Sequence, residues 1–185
     1  KTDTPLIDVP QAVSVVSVRN IDDRAANGIG EAIAYVPGVM TAQGENNRET
    51  LVFRGNSTTG DFFVDGIRDD VQTYRDLYNI ERLEIFKGPN AMIFGRGGIG
   101  GIVNRVTKQA DWDNRYAFRL EGGSYNHIRV SVDLNQALSD VAAFRLTGVF
   151  QDSDSFRDDA RFHRWGFNPT ASFKLGPDTT LMLGY

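Results

Sequence analysis

The segment richest in chemical options runs from Ile80 to Lys108. In it Gly95, Gly97 and Gly100 stand at the G-x-G-x-x-G spacing, with Glu121 about twenty residues further on. That spacing lets a backbone approach a pyrophosphate while the acidic residue takes a ribose hydroxyl, so a soluble dinucleotide-binding enzyme is one reading. The fingerprint needs its glycines to open a helix, whereas these lead into Ile102-Val-Asn-Arg-Val-Thr107, a β-branched run that reads as a strand. No Lys-Ser or Lys-Thr follows, so a Walker loop is absent. The plainer use of such glycines is positive φ and close packing of backbone.

Other candidate groups fare less well. Asp69-Asp70 and Asp158-Asp159 are adjacent, and adjacent side chains diverge on helix or strand, which does not suit an acid/base pair. Asp152-Ser-Asp154-Ser-Phe-Arg-Asp158 resembles a calcium loop, but Phe156 and Arg157 occupy a ligand position and the turn glycine's position. His127 and His163 have no partner at metal-ligand spacing. Ser57 sits in Gly55-Asn-Ser-Thr-Thr59, which lacks the second glycine of a nucleophile elbow. No catalytic set and no metal set emerges.

The elements that must carry these residues fall into two kinds. The chain has 185 residues, 24 acidic and 20 basic side chains and a net charge of -4, a balance that argues against nucleic acid as a partner. It has no cysteine and no apolar run of about 18 residues, so a spanning helix is excluded and a spanning strand is not. Its start, Lys1 to Pro5, has no basic segment followed by an apolar one, so any export signal is expected to have been removed or never present. Residues 1–110 read as a mixed α+β unit rich in turns, the chain having 19 glycines. Strands are expected over 12–18, 50–53, 62–64, 82–86 and 102–107. A helix capped by Asp22 and Asp23 is expected to carry Ile29, Ala32, Ile33 and Val36 and to stop at Pro37-Gly38.

From Tyr116 onward the period becomes two. Ile128, Val130, Val132 and Leu134 alternate with Arg129, Ser131, Asp133 and Asn135, and the rows around Phe144, Phe167 and Leu181 behave alike. An antiparallel sheet with one solvated face has this pattern, and so does a membrane barrel, apolar to lipid and polar to its lumen. Short connections at 136–140 and 176–179 against a longer polar one at 152–162 favour the barrel. Five strands cannot close a barrel, and an open edge in lipid leaves backbone groups unpaired, so the chain is expected to be truncated.

Four motifs in order resemble those of TonB-dependent outer-membrane receptors. They are Asp8-Val-Pro-Gln-Ala-Val-Ser-Val-Val16, Val36-Pro-Gly-Val39, Phe53-Arg-Gly55 with Phe63-Val-Asp-Gly-Ile67, and the segment from Glu81 to Lys108. The stretch from Arg68 to Asn79 is further similar to siderophore receptors of the catecholate branch. The resemblance implies an α+β plug domain with a mixed β-sheet over 1–110, then over 111–185 the first antiparallel strands of a transmembrane β-barrel of about 22 strands. It also implies a bacterial outer membrane, with its lipid as a partner, and import of ferric siderophore coupled to TonB-ExbB-ExbD. No catalysis and no cofactor are implied, since iron arrives chelated. The TonB box of the family lies upstream of the Asp8 motif and is expected to be absent from this chain.

Carried over by motif, the siderophore contacts fall on three apical plug loops. The first supplies Gln43, Gly44, Glu45 and Asn46; the second supplies Ser57, Thr58, Thr59 and Asp61; the third supplies Arg68, Asp69, Gln72 and Tyr74. Hydroxamate receptors often have an arginine in the first loop and a tyrosine in the third, and the matching residues here are Gln43 and Tyr74. Ferric catecholates are anionic and aromatic, so Arg68 and Tyr74 offer charge and stacking. Arg54, Glu81, Arg82, Glu84 and Arg105 are implied as plug-to-barrel ion pairs. The alternatives are the dinucleotide-binding enzyme and a secreted β-rich adhesin fragment.

Overall fold

The computed structural model describes residues 12–44, 48–58, 60–69, 71–88, 94 and 100–185. Glu45, Asn46, Thr59, Gly95 and Gly97, and the Asp8 motif up to Gln11, lie outside the described residues. The chain divides into two compact units, Lys1–Thr107 and Lys108–Tyr185.

In the first unit the valine-rich run forms β1 (Ala12–Ser17), and helix α1 (Val18–Asp23) follows at once. The Ser17 hydroxyl caps α1 by accepting the Asn20 N–H. Asp22 and Asp23 therefore end one helix and do not cap the next, which corrects the expectation from sequence. The second helix, α2 (Ile29–Ile33), starts at Gly28, where the Glu31 carboxylate accepts the N–H groups of Asn27 at 2.6 Å and Gly28 at 3.4 Å. It is shorter than expected, and Val36 lies in the turn beyond it.

Two sheets complete this unit. Strands β2 (Val39–Gly44), β3 (Arg48–Phe53) and β4 (Asn56–Thr58) form one antiparallel ribbon. Strands β5 (Phe62–Val64), β6 (Ile67–Arg68), β7 (Ile80–Lys87) and β8 (Gly101–Thr107) join β1 in the order β1-β7-β8-β5-β6. That sheet is mixed, because β5 runs parallel to β8 while the other pairs are antiparallel. The Arg-Gly and Asp-Gly of the motifs have a local cause. Arg54 and Gly55, and Asp65 and Gly66, all take positive φ, as the paired central residues of tight hairpin turns require. The core between helices and sheets is Ile29, Ile33, Leu51, Phe53, Phe62, Leu83, Ile85 and Val103, with Phe63 and Ile102 packing against Phe86 and Phe94 beside it.

The second unit is an antiparallel meander. Strands β9 (Arg115–Gly122), β10 (Ile128–Ser139), β11 (Ala142–Asp154), β12 (Arg161–Gly176) and β13 (Thr179–Gly184) pair in chain order. At one end the turns are Asp140-Val141 and Pro177-Asp178, while at the other residues 123–127 and 155–160 make longer loops. The strands are longer than the sequence pattern alone marked, since the period-two row carries through to Ser139 and Asp154.

Candidate functional site

The three predicted loops start from strand hairpins, and this changes their shape. Gln43 and Gly44 are paired strand residues opposite Glu49 and Arg48, so they belong to β2 and not to a loop as expected. Ser57 is exposed in β4 opposite Val52, and Thr58 pairs with Leu51. Asp61 is buried, and its carbonyl accepts the Val103 N–H at 3.0 Å. Arg68 donates to the Gly60 carbonyl and lies 5.1 Å from the Phe63 ring centre. The Tyr74 ring packs across Gly28, where even one methyl group would meet its hydroxyl at 2.8 Å.

Cross-ties bring the loops together. The first hairpin meets the third loop through an Arg48 Nη1 bond to Gln72 Oε1 at 3.2 Å, and Arg68 links the third loop to the second. Asp69 is engaged by two guanidiniums, Arg75 at 3.1 Å and Arg105. Arg105 is thus paired inside its own unit; burial lowers its pKa while Asp69 opposes that. Arg82 and Glu84 bond each other at 2.9 Å, and Glu84 also accepts Asn104 Nδ2. Glu81 is half-buried in β7, and Arg54 is exposed in its hairpin turn.

Two residues central to this arrangement had not been singled out from sequence. Glu49 is 1% exposed and accepts the Ile29 N–H at 3.1 Å and the Arg75 N–H at 3.0 Å. Burial pushes its carboxyl above the ordinary value, against the pull of those N–H groups and of the Arg75 charge. The signal for it was present: in β3, Glu49 shares a face with Leu51 and Phe53. Arg75, at 2% exposure, carries no such signal, because its partners are carbonyls of an irregular stretch.

Near the glycine segment, Gly100 and Gly101 lie against Phe53, and a methyl group on Gly101 would meet the Phe53 ring at 2.8 Å and the Phe86 carbonyl. They lead into strand β8 and not into a helix, so the dinucleotide fingerprint loses its phosphate-binding terminus.

The second unit inverts the usual burial of a soluble sheet. Phe118, Leu120, Trp165, Phe167 and Leu183 are exposed, while Arg129, Asn135, Arg145, Thr147 and Ser172 on the opposite face are buried. The polar face also holds the chain entering β9. Lys108 pairs with Asp133 at 2.9 Å, and Arg145 grips the same carboxylate at 2.7 and 2.8 Å while donating to the Gln109 carbonyl. Ser172 donates to the Ala110 carbonyl at 2.7 Å, Asn135 donates to Asp111 and Asp113, and Lys174 lies 4.0 Å from the Trp112 ring centre. No helix among the described residues is long and apolar enough to cross a membrane.

A mixed-sheet unit followed by antiparallel strands, apolar outward and polar inward, is the opening portion of a plugged outer-membrane barrel. The chain belongs to the TonB-dependent receptor plug domain family, whose model matches residues 5–102. With that family it resides in the bacterial outer membrane. It is 33% identical to the ferrioxamine receptor of Yersinia enterocolitica, matching 99% of this chain and 27% of that protein. It is 32% identical to the catecholate siderophore receptor Fiu of Escherichia coli K12, matching 100% of this chain and 25% of that one. The crystal structure of Fiu in an open form superposes with a TM-score of 0.88 at 31% identity, covering 97% of this chain and 27% of that chain. The chain therefore spans about a quarter of the length of these relatives. They are receptors, and neither the dinucleotide-enzyme nor the adhesin reading fits this membership.

Proposed function

We propose that this chain supplies the plug, over residues 1–110, and the first barrel strands, over 111–185, of a receptor that imports a ferric siderophore. The observation that supports this reading is the cross-tying of the three plug loops, Arg48 to Gln72 and Arg68 to Gly60. The work done there is recognition: no bond in the ligand is made or broken, and iron arrives already chelated, without a resident cofactor. The ligand class is a ferric catecholate, whose negative charge and aromatic rings suit a surface bearing Arg48, Arg68 and Tyr74. TonB, with ExbB and ExbD, supplies the energy through a segment ahead of the Asp8 motif.

The test is a fluorescence-quenching titration of the purified full-length receptor with an iron(III) tris-catecholate and, separately, an iron(III) trihydroxamate. Tighter binding of the catecholate is expected. A preference for the hydroxamate overturns the ligand class, and failure to bind either overturns the receptor reading. Uptake of radioactive iron by cells, abolished when the proton gradient is collapsed, is the expected sign of TonB coupling.

A further inference from the structure

Arg75 lies outside the three loops, yet its side chain is spent almost entirely on one of them. Nε meets Asp69 Oδ2 at 3.1 Å, Nη1 donates to the Thr73 carbonyl at 3.0 Å, and Nη2 donates to the carbonyls of Asp69, at 3.0 Å, and Val71. The guanidinium also lies in the core over the Phe62 ring, 3.8 Å from its centre. Irregular backbone needs partners for its carbonyls, and here one planar five-donor group supplies three of them. Its own N–H is held by Glu49 of β3, which pairs with Gln43, so one residue fixes the third loop internally and sets its position against the first.

We propose that Arg75 is the positioning residue of the ligand surface: it holds Val71, Gln72, Thr73 and Tyr74 in the binding conformation without touching the ligand. This rests on the reading of these loops as the siderophore site. A loop that samples its binding shape only about a tenth of the time weakens apparent affinity about tenfold. Lysine does not replace arginine here, because a single ammonium cannot span carbonyls on several sides.

The experiment uses the full-length receptor in detergent micelles, as wild type, Arg75→Gln and Arg75→Lys. Amide hydrogen exchange is followed over 71–74 and over β7, and binding is measured with iron(III) tris(2,3-dihydroxybenzoate). The expected result is faster exchange confined to 71–74 and a Kd about tenfold weaker in both variants. Unchanged exchange at 71–74, exchange raised equally across β7, or confined exchange with unchanged affinity each overturn the proposal. If Arg75→Gln does not fold, Arg75→Lys alone carries the test. Failure of the wild type to bind the probe counts against the functional reading, and the exchange result then decides whether Arg75 holds the loop.

Discussion

Glu49 shows how a single carboxyl can make the plug's stability depend on pH. Its folded-state pKa is raised, chiefly by burial, so folding favours the protonated form. The stabilisation it contributes is full below the ordinary carboxylate pKa and is lost as pH rises through the raised value. Glu49→Gln removes that titration. In urea denaturation of residues 1–110, the stability of wild type relative to Glu49→Gln should therefore fall as pH rises across this window, and parallel profiles would count against the assignment. Glu49 was legible in principle, being in register with Leu51 and Phe53 on an alternating strand. Arg75 was not: it reads as one more surface charge, and only the folding of residues 69–73 around it turns it inward.

At the scale of elements, the hairpin glycine Gly55 and the strand glycine Gly101 differ in what they tolerate. Gly55 has positive φ and open space around the missing Cβ, so Gly55→Ala should cost only the backbone strain, roughly 1–2 kcal/mol. Gly101→Ala meets the Phe53 ring and the Phe86 carbonyl as well, and should cost more in urea denaturation of residues 1–110. A smaller loss for Gly101→Ala would contradict the packing. For the strands, Phe167 is 54% exposed and sits opposite Gly148, midway along β11. Phe167→Lys should destabilise the full-length receptor in phospholipid vesicles by roughly 2–4 kcal/mol, as a cation at the bilayer midplane does. No loss there would favour a solvated sheet. The long strands were readable because period two survives over many residues, whereas α1, a helix of 6 residues, is too short to display a helical period beside β1.

For the molecule as a whole, the mixed composition of the first unit and its buried clusters predict that residues 1–110 fold in water without the strands that follow. A circular dichroism spectrum of mixed helix and sheet is expected, and a random-coil spectrum would place the boundary elsewhere. The two-part organisation could be read from the change of period near Tyr116. What period alone left open was whether the apolar face meets lipid or a protein core, since both candidate architectures alternate. The orientation emerges only when buried Asn135, Arg145 and Ser172 are seen on the face opposite Phe167.

The grip of Asp133, Arg145, Asn135 and Ser172 on Lys108 to Asp113 has a mechanical corollary. Like a rope made fast to a cleat, the chain is belayed before it becomes wall. A tug on the amino terminus should draw out no more slack than the residues ahead of Lys108, a limit that single-molecule extension reads as contour length.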